Sequence, residues 1–179
     1  MQAAQALPYL LTVVLLAGFV GRSAARARPA LPERTLKASM PDSSLSPVDE
    51  ARLLQAARDA QLRAHAPYSH FAVGAAVLDD AGRVHAGCNV ENAAYPQGVC
   101  AEAAALCAMV LAGGKRAMAL VIVGDGAALV TPCGGCRQKL REFAGPNAPV
   151  VVGDRERTRY RSTLAQLLPD SFGPENLQT

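Results

Sequence analysis

The sequence contains two cysteine motifs, Cys100-Ala101-Glu102 and Pro132-Cys133-Gly134-Gly135-Cys136, each of which opens a segment with a helical pattern. Cysteine thiolates are soft ligands that Zn²⁺ prefers, and three of them leave the fourth tetrahedral position free for water. Bound zinc lowers the pKa of such a water towards neutrality. Glu102 lies outside this ligand set but close to it in the chain, which suits it to proton transfer. The motifs therefore predict a catalytic zinc site with Cys100, Cys133 and Cys136 as ligands and Glu102 as the catalytic acid–base.

Two other interpretations of these cysteines remain open. A Cys-x-x-Cys pair alone also occurs in structural zinc sites and in redox pairs. A structural zinc site usually has four protein ligands, often as two such pairs, whereas Cys100 stands alone here. A redox loop formed by Cys133 and Cys136 would leave Cys100 and Glu102 without a role. Catalytic zinc is therefore preferred, with a structural zinc module as the second interpretation.

The composition is that of one globular domain with additional length, since the 179 residues are 50% hydrophobic. The net charge of +3 is concentrated in residues 1–39, which hold five basic residues and one acidic residue. The remaining chain is close to neutral and lacks the strongly basic surface typical of nucleic-acid binding. An odd number of cysteines and a thiolate metal site favour a reducing compartment, and we expect the cytoplasm.

Residues 1–46 are predicted to be an N-terminal extension or linker ahead of a domain over residues 47–179. The apolar run over residues 7–20 is shorter than the ~20 residues that span a bilayer, so no stable membrane association is expected. This run resembles the core of a signal peptide, but no Lys or Arg precedes it, and several arginines follow it as in a transit sequence. A signal or transit leader is the alternative to an extension without a folded role.

The composition changes near Met40, where basic, proline-interrupted sequence gives way to a domain-like pattern. A chain that begins at Met40 keeps every motif described above. Residues 1–39 are therefore expected to be dispensable, and the shorter chain should match the full chain in zinc content and kcat/KM.

From Ser46 onwards the chain alternates between helical and strand patterns. Ser46 is suited to cap a helix with Pro47 at its first position, and the apolar stripe extends to about Ala64. Asp80-Ala81-Gly82 predicts a turn between two strands. The predicted strands are 71–78, 83–90, 118–123, 150–152 and 159–162, and the further helices are 100–113, 133–143 and 163–168. This alternation predicts an α/β fold, namely a three-layer α/β/α domain with a mixed five-stranded sheet.

Both cysteine motifs fall at predicted helix N-termini, where the helix dipole and free N–H groups favour thiolates. Three thiolates around Zn²⁺ still leave a formal negative charge, which makes a bound water less acidic. Arg137 follows Cys136 directly and is predicted to lie beside the sulfurs and withdraw part of this charge.

Five motifs together carry a resemblance to a known family. They are Pro67-Tyr68-Ser69-His70-Phe71, Asn89-Val90-Glu91-Asn92-Ala93, Cys100-Ala101-Glu102, Pro132-Cys133-Gly134-Gly135-Cys136-Arg137-Gln138 and Ser171-Phe172-Gly173-Pro174-Glu175. The chain from about Pro47 to Gln178 resembles the small, three-cysteine, homotetrameric cytidine deaminases. The resemblance implies a cytidine-deaminase-like domain with one Zn²⁺ per subunit. It also implies hydrolytic deamination of cytidine and deoxycytidine to uridine and deoxyuridine, with release of ammonia, in pyrimidine salvage.

The resemblance also implies how the substrate is held. Asn89 and Glu91 would bind the sugar, mainly its 3′-hydroxyl, and Phe71 would stack on the pyrimidine. The Ala101 backbone would read the edge of the ring, and Phe172 would enter the site of a neighbouring subunit. The full implied set of substrate-binding residues is Phe71, Asn89, Glu91, Ala93, Tyr95, Ala101 and Phe172.

One position departs from the family pattern. Family members with three cysteines often carry an arginine after the glutamate, where it donates to a ligand sulfur, but here that position is Ala103. Arg137 would then carry more of the charge neutralisation, or the zinc-bound water would be less acidic.

Four further residues could be mistaken for metal ligands. His70 and His85 lie outside the spacing of the motifs and are predicted to be surface residues or outer neighbours of the site. Cys88, in a strand pattern, and Cys107, on the apolar run after Cys100, are predicted to be small core residues.

Two rival functions follow from the same residues. Deamination of nucleotides or of nucleic-acid bases would use the same zinc chemistry, but a carboxylate at Glu91 pairs with hydroxyls and repels a 5′-phosphate. A non-catalytic zinc module would make Glu102 dispensable and would leave no exchangeable water on the metal.

Overall fold

The computed structural model describes residues 45–177 of the chain. The predicted extension over residues 1–46 and the proposed start at Met40 lie almost entirely outside these residues. Within them, none of the helices has the length and apolar character needed to cross a membrane.

Helix α1, Pro47–Gln61, begins where the sequence predicts. The hydroxyl oxygen of Ser46 accepts a hydrogen bond of 3.1 Å from the Asp49 backbone N–H. This bond satisfies one of the amide donors left free at a helix start, and Pro47 adds a backbone already restricted to helical φ. The helix ends a few residues before the predicted Ala64, and the buried carboxamide of Gln61 donates to the Ala72 carbonyl at 3.1 Å.

The sheet contains five strands in the order β2-β1-β3-β4-β5. Their bounds are β1 Val73–Asp79, β2 Val84–Cys88, β3 Ala117–Gly124, β4 Pro149–Gly153 and β5 Thr158–Thr163. Strands β3 and β4 are parallel, and the other neighbouring pairs are antiparallel. The prediction of a mixed five-stranded sheet is therefore confirmed.

Helices cover both faces of this sheet, because alternate strand residues point to opposite sides. On one face lie α2 Ala101–Leu111, α3 Gly134–Phe143 and α4 Leu164–Leu167, packed against Ala75, Val77, Leu120, Ile122, Val150 and Val152. On the other face lies α1, packed against Ala76, Leu78, Ala119, Val121, Val123 and Val151. The domain is the predicted three-layer α/β/α arrangement.

Two glycines on neighbouring strands allow helices to approach the sheet closely. A side-chain carbon at Gly74 in β1 would overlap the Ala57 carbonyl oxygen of α1. A side-chain carbon at Gly87 in β2 would overlap the Ala105 backbone nitrogen of α2. Helix backbone has no flexible end that could move aside, so both positions require glycine. Gly87 thereby sets the distance between the sheet and the helix that begins at the first cysteine motif.

His85, predicted to be a surface residue or an outer neighbour of the site, is neither in the structure. It is buried, and its Nε2 lies 2.8 Å from Asp79 Oδ2. The Asp79 carboxylate also accepts hydrogen bonds from the Ala81 and Arg83 backbone N–H groups and from Arg83 Nε. Burial acts to raise the pKa of Asp79, but these hydrogen bonds, led by that of His85, lower it well below its usual range. The group closes the β1–β2 hairpin and lies outside the residues predicted to form the site.

The prediction that Cys107 is a core residue is also wrong, because the residue is exposed on the outer side of α2. Cys88, by contrast, is half-buried in β2. Helix α2 is apolar around most of its circumference, so the hydrophobic period could not identify its inner face. The outer face therefore leaves Val110 49% and Leu111 90% exposed.

Gly87→Ala is expected to lower the free energy of unfolding by about 1–3 kcal/mol, because the added methyl overlaps backbone of α2. Urea unfolding monitored by circular dichroism measures the change. Gly145→Ala is the matched control, since nothing lies within 4 Å of the added carbon there. Equal stability of the two variants would contradict the close approach of α2 to β2.

Candidate active site

Three cysteine sulfurs meet where two helices begin. Cys100 is the N-cap of α2, Cys133 is the N-cap of α3, and Cys136 lies in the first turn of α3. The Sγ atoms of Cys100 and Cys133 are 3.9 Å apart, and all three Sγ atoms lie within 4.8 Å of one another. Two sulfurs bound to one Zn²⁺ at ~2.3 Å in tetrahedral geometry are ~3.8 Å apart. The donor set therefore fits a single tetrahedral zinc ion with three thiolate ligands.

The crowding of these thiols makes the cluster a site for a cation. Burial raises the pKa of Cys136, and the negative charges of Glu102 and Cys100 raise it further. Burial, followed by the charge of Cys133, likewise raises the pKa of Cys100. For Cys133, burial also acts to raise the pKa, but hydrogen bonds, first from the Cys136 backbone, lower it overall. A dication that replaces the thiol protons removes this repulsion, so metal binding and proton release are coupled.

Glu102 is a buried carboxyl group beside the cluster, with only 6% of its surface exposed. It lies in the first turn of α2, two positions after Cys100. Burial raises the pKa of Glu102, partly offset by hydrogen bonds that include one from Cys136. The raised pKa makes the carboxylate a stronger proton acceptor, which suits Glu102 to general acid–base catalysis.

A cleft of about 500 Å³ opens beside Cys100. It is lined by Tyr68, Ser69, Asn89, Val90, Glu91, Asn92, Tyr95, Gly98, Val99 and Cys100. The structure thus brings three of the predicted substrate-binding residues, Asn89, Glu91 and Tyr95, to one cavity with a predicted zinc ligand. A second cleft of about 550 Å³, between the start of α1 and residues 143–149, contains none of the predicted site residues.

Glu91 is held from one side by the turn that precedes β1. Its Oε2 accepts hydrogen bonds from the backbone N–H groups of Tyr68 at 2.9 Å and Ser69 at 3.2 Å. Its Oε1 accepts a hydrogen bond from the Ser69 hydroxyl. These bonds, first that of the Ser69 hydroxyl, lower the pKa of Glu91. The side chain is therefore a charged hydrogen-bond acceptor in the wall of the cleft.

Asn89 ties the same part of the chain to the first strand. Its Oδ1 accepts from the Val73 backbone N–H at 2.8 Å, and its Nδ2 donates to the Phe71 carbonyl at 2.9 Å. Strand β1 consequently begins at Val73, and not at Phe71 as predicted. The side-chain amide retains one N–H and one oxygen lone pair for a ligand.

Other predicted substrate residues lie outside the lining of this cleft. Phe71 is 38% exposed, in the loop before β1. Phe172 is 58% exposed, and its carbonyl accepts a hydrogen bond of 2.9 Å from Gln138 Nε2. Ala93 is exposed ahead of the short 3₁₀ helix Tyr95–Gln97, whereas Ala101 is fully buried at the start of α2. Their contacts with substrate remain predictions.

Arg137 differs from the prediction in its partners. Its Nε donates to the Pro132 carbonyl at 2.7 Å, and its Nη1 donates to the Leu167 carbonyl at 2.7 Å. Its Nη2 donates to Thr131 Oγ1 at 3.2 Å. The guanidinium therefore holds the loop that leads into Cys133, and these hydrogen bonds go to oxygen atoms instead of sulfur. Ala103 supplies no charge, so the helix N-termini carry more of the task of stabilising the thiolates.

Sequence reasoning gave no role to six residues of the cleft lining, and two of these, Tyr68 and Ser69, lie together in one motif. Both belong to the Pro67–Phe71 motif, in which only Phe71 received a role. The ring of Tyr68 meets that of Tyr95 edge to face, with centroids 6.0 Å apart. In the sequence, the signal for this part of the cleft was an aromatic residue, Tyr68, next to the polar Ser69 in a turn between two elements.

Comparisons with known proteins agree with this geometry. The family model of the cytidine and deoxycytidylate deaminase zinc-binding region matches residues 47–153. The cytidine deaminase of Mycobacterium tuberculosis (strain CDC 1551 / Oshkosh) is 44% identical over 77% of this chain and 96% of its own length. That of Sporosarcina psychrophila is 38% identical over 73% of this chain and 96% of its own length.

Solved structures show the same fold. The crystal structure of cytidine deaminase from Burkholderia pseudomallei gives a TM-score of 0.65 at 40% identity, covering 68% of this chain and 98% of that chain. The cytidine deaminase from Mycobacterium tuberculosis gives 0.59 at 45% identity, covering 70% of this chain and 98% of that chain. The region that the family model matches, residues 47–153, contains both cysteine motifs and the cleft beside them. The chain therefore belongs to the cytidine deaminase family of zinc-dependent enzymes.

Proposed function

We propose that this protein hydrolyses cytidine and deoxycytidine to uridine and deoxyuridine with release of ammonia, as a step of pyrimidine salvage. The observation that carries the proposal is the cluster of three sulfurs with one buried carboxyl group beside it. The cleft that opens next to Cys100 has a volume of about 500 Å³, within the range of small-molecule sites.

The residues divide the chemistry between them. Cys100, Cys133 and Cys136 would hold Zn²⁺, which when bound acidifies a water and so supplies the nucleophile at neutral pH. Glu102 accepts a proton from the attacking water and passes it to the ring nitrogen of the substrate. It then takes the remaining proton from the hydroxyl group added to the ring and delivers it to the amine, so that ammonia leaves and the ring carbonyl forms. Its burial supports this role, since the protonated form is stabilised between the two transfers.

The charge of Glu91 favours a nucleoside over a nucleotide. An ionised carboxylate only accepts hydrogen bonds, so it suits the hydroxyl donors of a sugar. The same charge repels a 5′-phosphate brought into this cleft. This argues against deoxycytidylate, which the description of the family model also includes, and against a polynucleotide.

A structural zinc module is the second candidate, and the ligand count argues against it. Among residues 45–177 the cluster contains three groups able to bind the metal, Cys100, Cys133 and Cys136. A structural site would usually require a fourth protein ligand. The burial of Glu102 beside these sulfurs also has no purpose in such a module.

We further propose that the chain acts as a homotetramer in the cytoplasm. The groove between α2 and α3 supports self-association, because it is largely apolar and its members Cys107, Val110 and Leu111 are exposed. Its apolar members are Ala103, Leu106, Cys107, Val110, Leu111 and Phe143. Large exposed apolar patches commonly mark protein–protein contacts. A thiolate-rich site favours a reducing compartment.

The anchoring of the C-terminal segment supports the proposal that Phe172 enters a neighbouring subunit's site. Arg141 on α3 donates to Ser171 Oγ at 3.1 Å and forms an ion pair with Glu175. Gln138 on the same helix holds the Phe172 carbonyl. The backbone of the segment is thus anchored on either side of Phe172, while its ring remains exposed and available to another subunit.

The function is tested by measuring the turnover of cytidine, deoxycytidine and deoxycytidylate by absorbance, together with zinc content. We expect turnover of both nucleosides and at least about tenfold lower kcat/KM for deoxycytidylate, because Glu91 repels its phosphate. Glu102→Gln should retain zinc and melting temperature but lower kcat by about 10²–10⁴-fold or more, since the variant cannot transfer protons.

Glu156→Gln is the control for loss of a carboxylate, because Glu156 is exposed in the loop before β5. It should leave zinc content and turnover as they are. A Glu102→Gln variant that binds zinc and keeps its activity within tenfold of the original would remove Glu102 from the mechanism.

Phe172→Ala is expected to raise KM about tenfold with zinc content unchanged, because it removes the apolar contact that this ring would make in a neighbouring subunit's site. Leu177→Ala provides a control in the same segment, as this side chain is 73% exposed. Sedimentation on the same samples tests the assembly, and activity should fall on dilution as the oligomer dissociates. A monomer with full activity would contradict both the tetramer and the shared site.

A further inference from the structure

Ser69 links two predicted substrate-binding residues through one hydroxyl group. Its Oγ accepts a hydrogen bond of 3.0 Å from the Phe71 backbone N–H. The same hydroxyl donates to Glu91 Oε1. A serine hydroxyl carries a single proton, so this donor is fully used by Glu91. Ser69 lines the cleft, yet neither the sequence motifs nor the proposed mechanism gave it a role.

The Glu91 carboxylate has one acceptor position left for a ligand. An ionised carboxylate offers about four lone-pair positions on its two oxygens. Oε2 uses two of them, for the backbone N–H groups of Tyr68 and Ser69. Oε1 uses one, for the Ser69 hydroxyl. The free position therefore lies on Oε1. Among the described residues, the only hydrogen-bond donor to this oxygen is the Ser69 hydroxyl.

The turn that carries Ser69 is held in place by hydrogen bonds within the chain. Its far end is tied by the bond from Asn89 Nδ2 to the Phe71 carbonyl. His70, which lies between Ser69 and Phe71, has a φ of 56°, a left-handed conformation that costs energy for a residue other than glycine. The His70 N–H donates to the Ala66 carbonyl at 3.1 Å, which supports this conformation. A turn held by these hydrogen bonds presents the Ser69 hydroxyl to Glu91 at a fixed position.

We propose that Ser69 is a positioning residue for sugar binding. By fixing Oε1 of Glu91, it directs the remaining lone pair to accept one sugar hydroxyl of the nucleoside. Ser69 itself makes no contact with the reacting atoms, so its effect should appear in substrate binding more than in the chemical step. The inference rests on the proposed function, because it assumes that Glu91 receives the sugar.

The test compares cytidine with 2′,3′-dideoxycytidine, which lacks the hydroxyl donors of the lower sugar edge. Ser69→Ala in the full chain should raise the KM for cytidine about tenfold, the loss expected from one hydrogen bond to a charged group. The KM for the dideoxynucleoside should change less than about twofold, since it makes no bond that could be lost. Ser69→Thr keeps a hydroxyl and should restore most of the difference between the two substrates.

Thr158→Ala is the matched control for loss of a hydroxyl–carboxylate hydrogen bond. Thr158 Oγ1 donates to Glu50 Oε1 at 2.9 Å, between β5 and α1, outside the cleft. This variant is expected to lower the melting temperature without changing the ratio of the two KM values. A purely structural role for Ser69 would make Ser69→Ala behave like Thr158→Ala, and that result would overturn the inference.

Glu91→Gln, measured alongside, separates the inference from the function on which it rests. One outcome is that Glu91→Gln abolishes the preference for cytidine over the dideoxynucleoside while Ser69→Ala keeps it. That result refutes the role of Ser69 but leaves Glu91 as the sugar-binding residue. If Glu91→Gln also keeps the preference, Glu91 does not receive the sugar and both proposals about this wall of the cleft fail. Loss of the preference in both variants, with rescue by Ser69→Thr, supports the inference.

Discussion

Three sulfur atoms that become negatively charged on metal binding must be held within 4.8 Å of one another. Their mutual repulsion is offset by the metal and by the free N–H groups at the starts of α2 and α3. Both helices must therefore begin at one place on the same face of the sheet. Gly87 makes this possible for α2, and the buried Leu140 packs α3 against the core of that face. The three-layer fold is the scaffold that this charge cluster requires.

The same constraint explains which parts of the site could be predicted from the sequence. The zinc ligands and Glu102 are local features, because each stands at or next to a helix start whose pattern is visible in the chain. The structure brings the sulfurs of the three cysteines within 4.8 Å of one another, and the roles of these residues in catalysis stay predictions. The mixed sheet could also be predicted, since β1, β3 and β4 are short apolar runs bounded by turn residues.

What the sequence could not reveal depends on contacts between distant or flexible groups. His85 is buried because the hairpin register places it opposite Val77, close to Asp79. Arg137 has a long side chain, and its partners include the Leu167 carbonyl, thirty positions away in the chain. Cys107 lies on a helix without a polar face, so the spacing of its apolar residues does not show which side faces the core. In each case the sequence shows the residue type but not the part of the fold that the side chain contacts.

The central claim is that three cysteines bind one zinc ion and leave one position to water. X-ray absorption at the zinc K-edge of the purified full chain tests this most directly, because it gives the number, the type and the distance of the atoms bound to zinc. The account predicts three sulfur neighbours at ~2.3 Å and one oxygen or nitrogen neighbour at ~2.0 Å. Addition of a ligand that displaces water should change only the lighter neighbour. Four sulfur neighbours, or a site without sulfur, would contradict the account.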